Sequence, residues 1–123
     1  MQEYEATVLS RERYELGECC RWDEVRSELS WVDVPAGTYF RAHVTPRFTI
    51  IRAHQVEGYL SAVAPFQDRS RGWIIALNQS IAHLDESGAL SELARPEAHH
   101  ASEVRMNDGA LFGCGWFMVC LFG

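Results

Sequence analysis

Leu29-Ser30-Trp31-Val32-Asp33-Val34 and Gly72-Trp73-Ile74-Ile75-Ala76-Leu77-Asn78 are the stretches whose reading decides the fold. Each is a short apolar run rich in aromatic and β-branched residues and closed by a turn signal, the habit of a strand rather than a helix. A shift of 42 residues (73 − 31) lays Trp31 on Trp73 and Val32 on Ile74. The same shift lays Tyr39 on Ile81, Phe40 on Ala82 and Ile51 on Leu93. Outward from these, similar runs occupy residues 5–10, 19–23, 38–43, 49–53, 58–65, 80–84 and 89–93. Tight turns are predicted at 23–27, 35–37, 45–46, 67–71 and 85–88, where Gly, Pro, Asp and Ser gather. Four strands per unit at this spacing fit the blade of a β-propeller, which repeats at about 40–50 residues. An alternating β-sandwich can carry the same pattern, so the residues alone leave both architectures open. Residues 4–10, ahead of the first unit, suit the strand that a propeller's closing blade takes from the opposite terminus.

The chain has 123 residues, 47% hydrophobic and 23% charged, which predicts one packed globular domain. A net charge of −6 and the absence of a basic cluster argue against a nucleic-acid partner. Glu3, Glu5, Arg11, Glu12, Arg13, Glu15 and Glu18 interrupt the N-terminal segment, so no signal-peptide core is present there. The uncharged stretch 110–123 is shorter than the roughly 20 residues a spanning helix takes, so no membrane partner is expected either. These features predict the cytoplasm. The four cysteines, Cys19, Cys20, Cys114 and Cys120, lack C-x-x-C spacing and read as packed thiols rather than a zinc site.

Leu16-Gly17-Glu18-Cys19-Cys20-Arg21-Trp22-Asp23 resembles the opening motif L-G-E-x-x-x-W-x of the regucalcin/gluconolactonase (senescence marker protein, luciferin-regenerating enzyme-like) family. Leu29-Ser30-Trp31-Val32-Asp33-Val34 is similar to that family's L-x-W-V-D-I strand, and Arg105-Met106-Asn107-Asp108-Gly109 resembles its R-x-N-D-G motif. The resemblance implies an all-β fold, the N-terminal part of a six-bladed β-propeller with about two four-stranded blades. Residues 1–109 would form that part, and 110–123 a divergent apolar tail. In the tail the family's D-x-x-G-R turn is missing, as a frameshift or a truncated gene would leave it.

The resemblance also implies metal-dependent hydrolysis of a sugar lactone. Glu18 would be a metal ligand, and Arg105 and Asn107 would contact the substrate. The cofactor would be a divalent cation, Ca²⁺ before Zn²⁺ or Mg²⁺, acting as a Lewis acid on the lactone carbonyl. The family's further ligands, an Asn and an Asp from later blades, have no position in this chain, so the chain alone is expected to be inactive. Without the resemblance, Glu18 reads as a solvated turn glutamate and Asn107-Asp108-Gly109 as a turn. Asp108 reads equally as an Asx hydrogen-bonding residue or a site residue. His99 and His100 are adjacent, read as a solvated loop and would point apart on a strand. Trp22, Trp31 and Trp73 read as blade core, and Ser61 and Ser70 lack a nucleophile motif. Two functions remain: a lactonase-family enzyme, or a non-catalytic propeller remnant that serves as an interaction module. Open sheet edges predict self-association in either case.

Overall fold

The computed structural model describes residues 1–96, 105–111 and 117–122. Ten strands follow one another: β1 (Gly17–Asp23), β2 (Glu28–Asp33), β3 (Thr38–His43), β4 (Thr49–Gln55), β5 (Leu60–Pro65), β6 (Trp73–Leu77), β7 (Ser80–Leu84), β8 (Leu90–Ala94), β9 (Arg105–Leu111) and β10 (Phe117–Phe122). Among the described residues the only helical element is the short 3₁₀ turn Arg69–Arg71, and no helix is long and apolar enough to cross a membrane. Strands β1 to β4 form one antiparallel meander, β5 to β8 a second, and β9 with β10 a two-stranded sheet. The fold is thus all-β: two four-stranded blades of a propeller-type structure and a two-stranded third sheet.

Residue chemistry explains where the strands turn. The Asp23 carboxylate accepts the backbone N–H groups of Val25 (2.9 Å) and Arg26 (3.2 Å), closing the β1–β2 turn. Asp85 does the same for Ser87 and Ala89, both at 2.9 Å, between β7 and β8. Short acidic side chains offer the backbone this local partner, which is why they punctuate sheets. Gly37 has φ +60°, and a Cβ there would run into the Val56 carbonyl, so the β2–β3 turn admits only glycine without rearrangement.

The two blades meet across an apolar layer in which Val32, Val34 and Tyr39 of the first pack against Leu60, Val63, Trp73 and Ile75 of the second. Removing a fully buried side chain such as Ile75 costs about 2–5 kcal/mol. A repeated backbone bond fixes the rotation between sheets. Leu60 N–H donates to the Val34 carbonyl (3.1 Å) just past β2, and Met106 N–H donates to the Asn78 carbonyl (2.6 Å) just past β6. Each sheet therefore begins its innermost strand against the end of the previous sheet's second strand.

A charged lock lies at the opposite end of these strands. Asp23 takes hydrogen bonds from Arg69 (3.0 Å) and Arg26 (3.2 Å), and Arg26 reaches on to Glu86 at 2.8 Å. Burial pushes the Asp23 carboxyl up, but the bonds from Arg69 and Arg26 outweigh it and hold the group below its ordinary 3.8. The guanidinium carbons of Arg26 and Arg41 lie 4.8 Å and 5.0 Å from the centre of the Trp73 ring. His54 stacks against Tyr39 and leans on Trp73.

The structure departs from the pattern reading in three places. Residues 5–10 form no strand, and Tyr4 and Val8 are exposed. A lone strand leaves its backbone groups unpaired and gains nothing over solvated chain. Trp22 is 50% exposed rather than core, because among the described residues no sheet covers its face of β1. Trp31 and Trp73 are buried, each on the second strand of its blade, but on different rungs: Trp31 lies opposite Phe40 and Trp73 opens β6 opposite Leu84. The drift follows the turns, which span residues 34–37 in one blade and only 78–79 in the other.

Candidate functional site

The motif residues sit on the innermost strands. β1 touches β5, and β5 touches β9, so the three line up side by side. All three carry a β-bulge at the corresponding place. In β1 it falls between Glu18 and Arg21, in β5 between Leu60 and Ala62, and in β9 between Met106 and Gly109. The bulge residues are Cys19 and Cys20, then Ser61, then Asn107 and Asp108. Bulges bend a strand and re-aim its side chains, and they gather beside active sites. Nothing in the residue types announces them; Cys19, a non-glycine residue at φ +54°, is the least expected.

Glu18 stands directly before the β1 bulge, and a buried carboxylate two strands' width of sequence away holds its approach. Asp33 accepts the backbone N–H groups of Glu15 (3.1 Å) and Leu16 (3.0 Å), and Val34 N–H donates to the Leu16 carbonyl (3.0 Å). The Asp of the second motif thus clamps the Leu-Gly-Glu of the first, a link that sequence reading missed. The Glu18 side chain is exposed and borders a groove of about 300 Å³ lined by Leu9, Tyr14, Leu29, Trp31, Phe48 and Cys20, almost wholly apolar.

Arg105 opens β9 and Asn107 lies in its bulge, both half-buried. The Arg105 guanidinium lies 5.5 Å from the Tyr59 ring centre and donates to the Met106 carbonyl at 3.0 Å. The Asn107-Asp108-Gly109 stretch is strand rather than turn, and Asp108 uses its carboxylate on the Gly109 N–H at 2.7 Å. The buried Ser61 hydroxyl donates to the Met106 carbonyl at 2.6 Å, which pins β9 to β5 and gives this serine a structural partner. A second residue missed by motif reading is Arg21. Its guanidinium reaches from β1 to the Gly109 carbonyl of β9 (3.4 Å), and its Nε is buried without a hydrogen-bond partner among the described residues.

Glu18 and the Arg105–Asn107 pair therefore share one end of adjoining innermost strands. No group of three or more His, Cys, Asp or Glu side chains suited to one metal ion occurs among the described residues. One exposed carboxylate does not meet the six to eight oxygens of a Ca²⁺ site, so the residues present do not fit a resident cation. His99, His100 and Cys114 lie outside the described residues.

Comparison with known proteins bears on family and fold. No curated protein sequence matches the chain. Among solved structures, a luciferin-regenerating enzyme superposes with a TM-score of 0.77 at 22% identity, over 88% of this chain and 36% of that one. The chain thus spans about a third of that enzyme's length. The family described as the SMP-30/Gluconolactonase/LRE-like region matches residues 16–122, across both blades and the β9–β10 pair. By that match the chain belongs to the SMP-30/gluconolactonase/LRE-like family.

Proposed function

We propose that this chain supplies the opening part of the site of a cytoplasmic, metal-dependent sugar lactonase, and is inactive by itself. In this reading Glu18 offers one oxygen donor to a divalent cation, Ca²⁺ before Zn²⁺ or Mg²⁺, whose remaining donors come from outside this chain. Arg105 and Asn107 hold the polyhydroxylated lactone. A guanidinium offers a fork of N–H donors and a side-chain amide both donor and acceptor, which suits ring oxygens and hydroxyls. The observation that carries the reading is the shared bulge: Glu18 immediately precedes it in β1, and Asn107 lies within it in β9.

A second reading is favoured for the chain alone by the surroundings of Glu18. Its carboxylate borders an apolar groove, and no three-donor cluster occurs among the described residues. A non-catalytic propeller remnant acting as an interaction module needs only the sheets.

Acid release from gluconolactone, with and without added Ca²⁺, separates the two readings. The expected result is no rate above the uncatalysed one for this chain, and metal-dependent hydrolysis once it is extended by the remaining blades of a family member. Glu18→Gln in the extended protein should lower that activity at least 100-fold. An extended protein that folds, binds Ca²⁺ and leaves the lactone intact would overturn the lactonase reading. Metal-dependent turnover by the present chain would overturn its inactivity.

A further inference from the structure

The Arg105 guanidinium rests on two anchors, and the neighbouring innermost strand fixes both. One is the Met106 carbonyl, which accepts from Arg105 Nη1 at 3.0 Å and from the buried Ser61 hydroxyl of β5 at 2.6 Å. The other is the ring of Tyr59, the residue just ahead of β5, whose centre lies 5.5 Å from the guanidinium carbon. Tyr59 and Arg105 occupy corresponding places in their sheets. Leu60 N–H and Met106 N–H, the next residues along, make the equivalent bonds back to Val34 and Asn78.

Asn78 holds this pair side by side. Its Oδ1 accepts the Tyr59 N–H (2.9 Å), its own N–H donates to the Tyr59 carbonyl (2.9 Å), and its carbonyl accepts the Met106 N–H (2.6 Å). It does so at φ +53°, a left-handed conformation that asparagine tolerates better than most residues. Gly58 leaves room for this, since it has φ +114° and a Cβ there would run into the Asn78 side-chain amide. In the first blade Asp33 and Val34 together make the same three bonds, to Leu16 and Leu60, just ahead of Glu18. The device that fixes the approach to Glu18 therefore recurs beneath Tyr59 and Arg105.

We propose that Tyr59 is a positioning residue for Arg105: its ring, held in place by Asn78, orients the guanidinium for the ligand it shares with Asn107. The inference rests on the reading of Arg105 as a lactone contact and adds the group that aims this side chain. A guanidinium is drawn to an aromatic face because the ring quadrupole attracts the cation. A side chain ordered before the ligand arrives loses less rotamer freedom on binding, so the ring raises affinity without touching the ligand. The bonds from Tyr59 to Asn78 are made by the Tyr59 main chain, and its side chain is 48% exposed. Tyr59→Leu therefore removes the ring and leaves the clamp, whereas Tyr59→Phe keeps the ring and removes only the hydroxyl.

Nitrogen-15 NMR of the full chain tests the contact, and titration with gluconolactam, a ring that resists hydrolysis, tests its consequence. The heteronuclear NOE of Arg105 Nε–H should report an ordered side chain in the wild type and in Tyr59→Phe. In Tyr59→Leu it should fall to that of a mobile side chain, with the urea unfolding midpoint unchanged. Gluconolactam should bind the wild type and Tyr59→Phe alike, and Tyr59→Leu about fivefold more weakly. An Arg105 as ordered in Tyr59→Leu as in the wild type would overturn the proposal, and so would equal lactam affinity after that order is lost. Loss of order in Tyr59→Leu with no lactam binding by any form would support the aiming of Arg105 and overturn the lactone reading instead. Should Tyr59→Leu fail to fold, proton NOEs between the Tyr59 ring and the Arg105 side chain of the wild type decide. Their presence supports the positioning, and their absence refutes it.

Discussion

The two ends of the innermost strands use charge in opposite ways. At the far end Asp23, Arg26, Arg69 and Glu86 are bonded to one another, and Trp73 sits beneath two guanidinium groups. At the near end Glu18 is exposed beside an apolar groove, and Asn107 is lifted into a bulge. Charges locked in mutual bonds hold two blades together. Charges kept out of such bonds contribute little to folding, which leaves them available for chemistry. In the proposed reading, stability and function are thereby divided between opposite ends of the same strands.

Removing the hub of the far end should have the largest effect. Asp23→Asn leaves two partly buried guanidinium groups facing a neutral amide, and should cost about 3 kcal/mol in urea unfolding, near the lower end for breaking a buried ion pair. A loss below about 0.5 kcal/mol would mean that the lock does not hold the blades.

The next effect is a pH dependence. Burial first, then the charges of Arg41 and Arg52, lower the His54 pKa from 6.5 to about 4. The folded value lies below the unfolded one, so the unfolded chain binds the extra proton between those two pH values. Stability is therefore whole above pH 6.5 and falls as pH drops towards 4, by on the order of 2 kcal/mol. Asp23, with its lowered pKa, adds a separate loss only as pH falls below its ordinary 3.8. His54→Phe keeps a ring against Tyr39 and Trp73 and should flatten the upper window alone. Identical pH profiles for the variant and its parent would place the titration elsewhere.

Glu18→Gln should have the smallest effect on folding. It removes an exposed carboxylate, and surface substitutions of this kind stay within about 0.5 kcal/mol. Thermal unfolding of the variant should overlay that of the parent. A loss comparable with that of Asp23→Asn would erase the division between the two ends and make Glu18 a structural residue.

Much of this is legible in the sequence. Alternation, turn residues and the 42-residue shift from Trp31 to Trp73 placed β2 to β8 within a few residues, because the two-residue strand period and Asp- or Gly-led turns are local properties. The motif triplet put Glu18, Arg105 and Asn107 just ahead of innermost strands, and the structure has all three within β1 and β9. Residues 5–10 misled, because their alternation is that of a strand while a strand exists only with a partner.

What the sequence by itself determined is therefore the class of structure: short strands, their turns, their grouping in fours and the family of the chain. Only the tertiary structure decided which side chains meet. The bulges of β1, β5 and β9 depend on how one strand is registered against another, and registers are set by facing side chains far apart in sequence. Asp33 became the clamp on Leu16, and Arg21 the bridge to Gly109, for the same reason. Such contacts join residues 17 and 88 positions apart, and pairings at that range arise from packing of whole sheets, which no local pattern encodes.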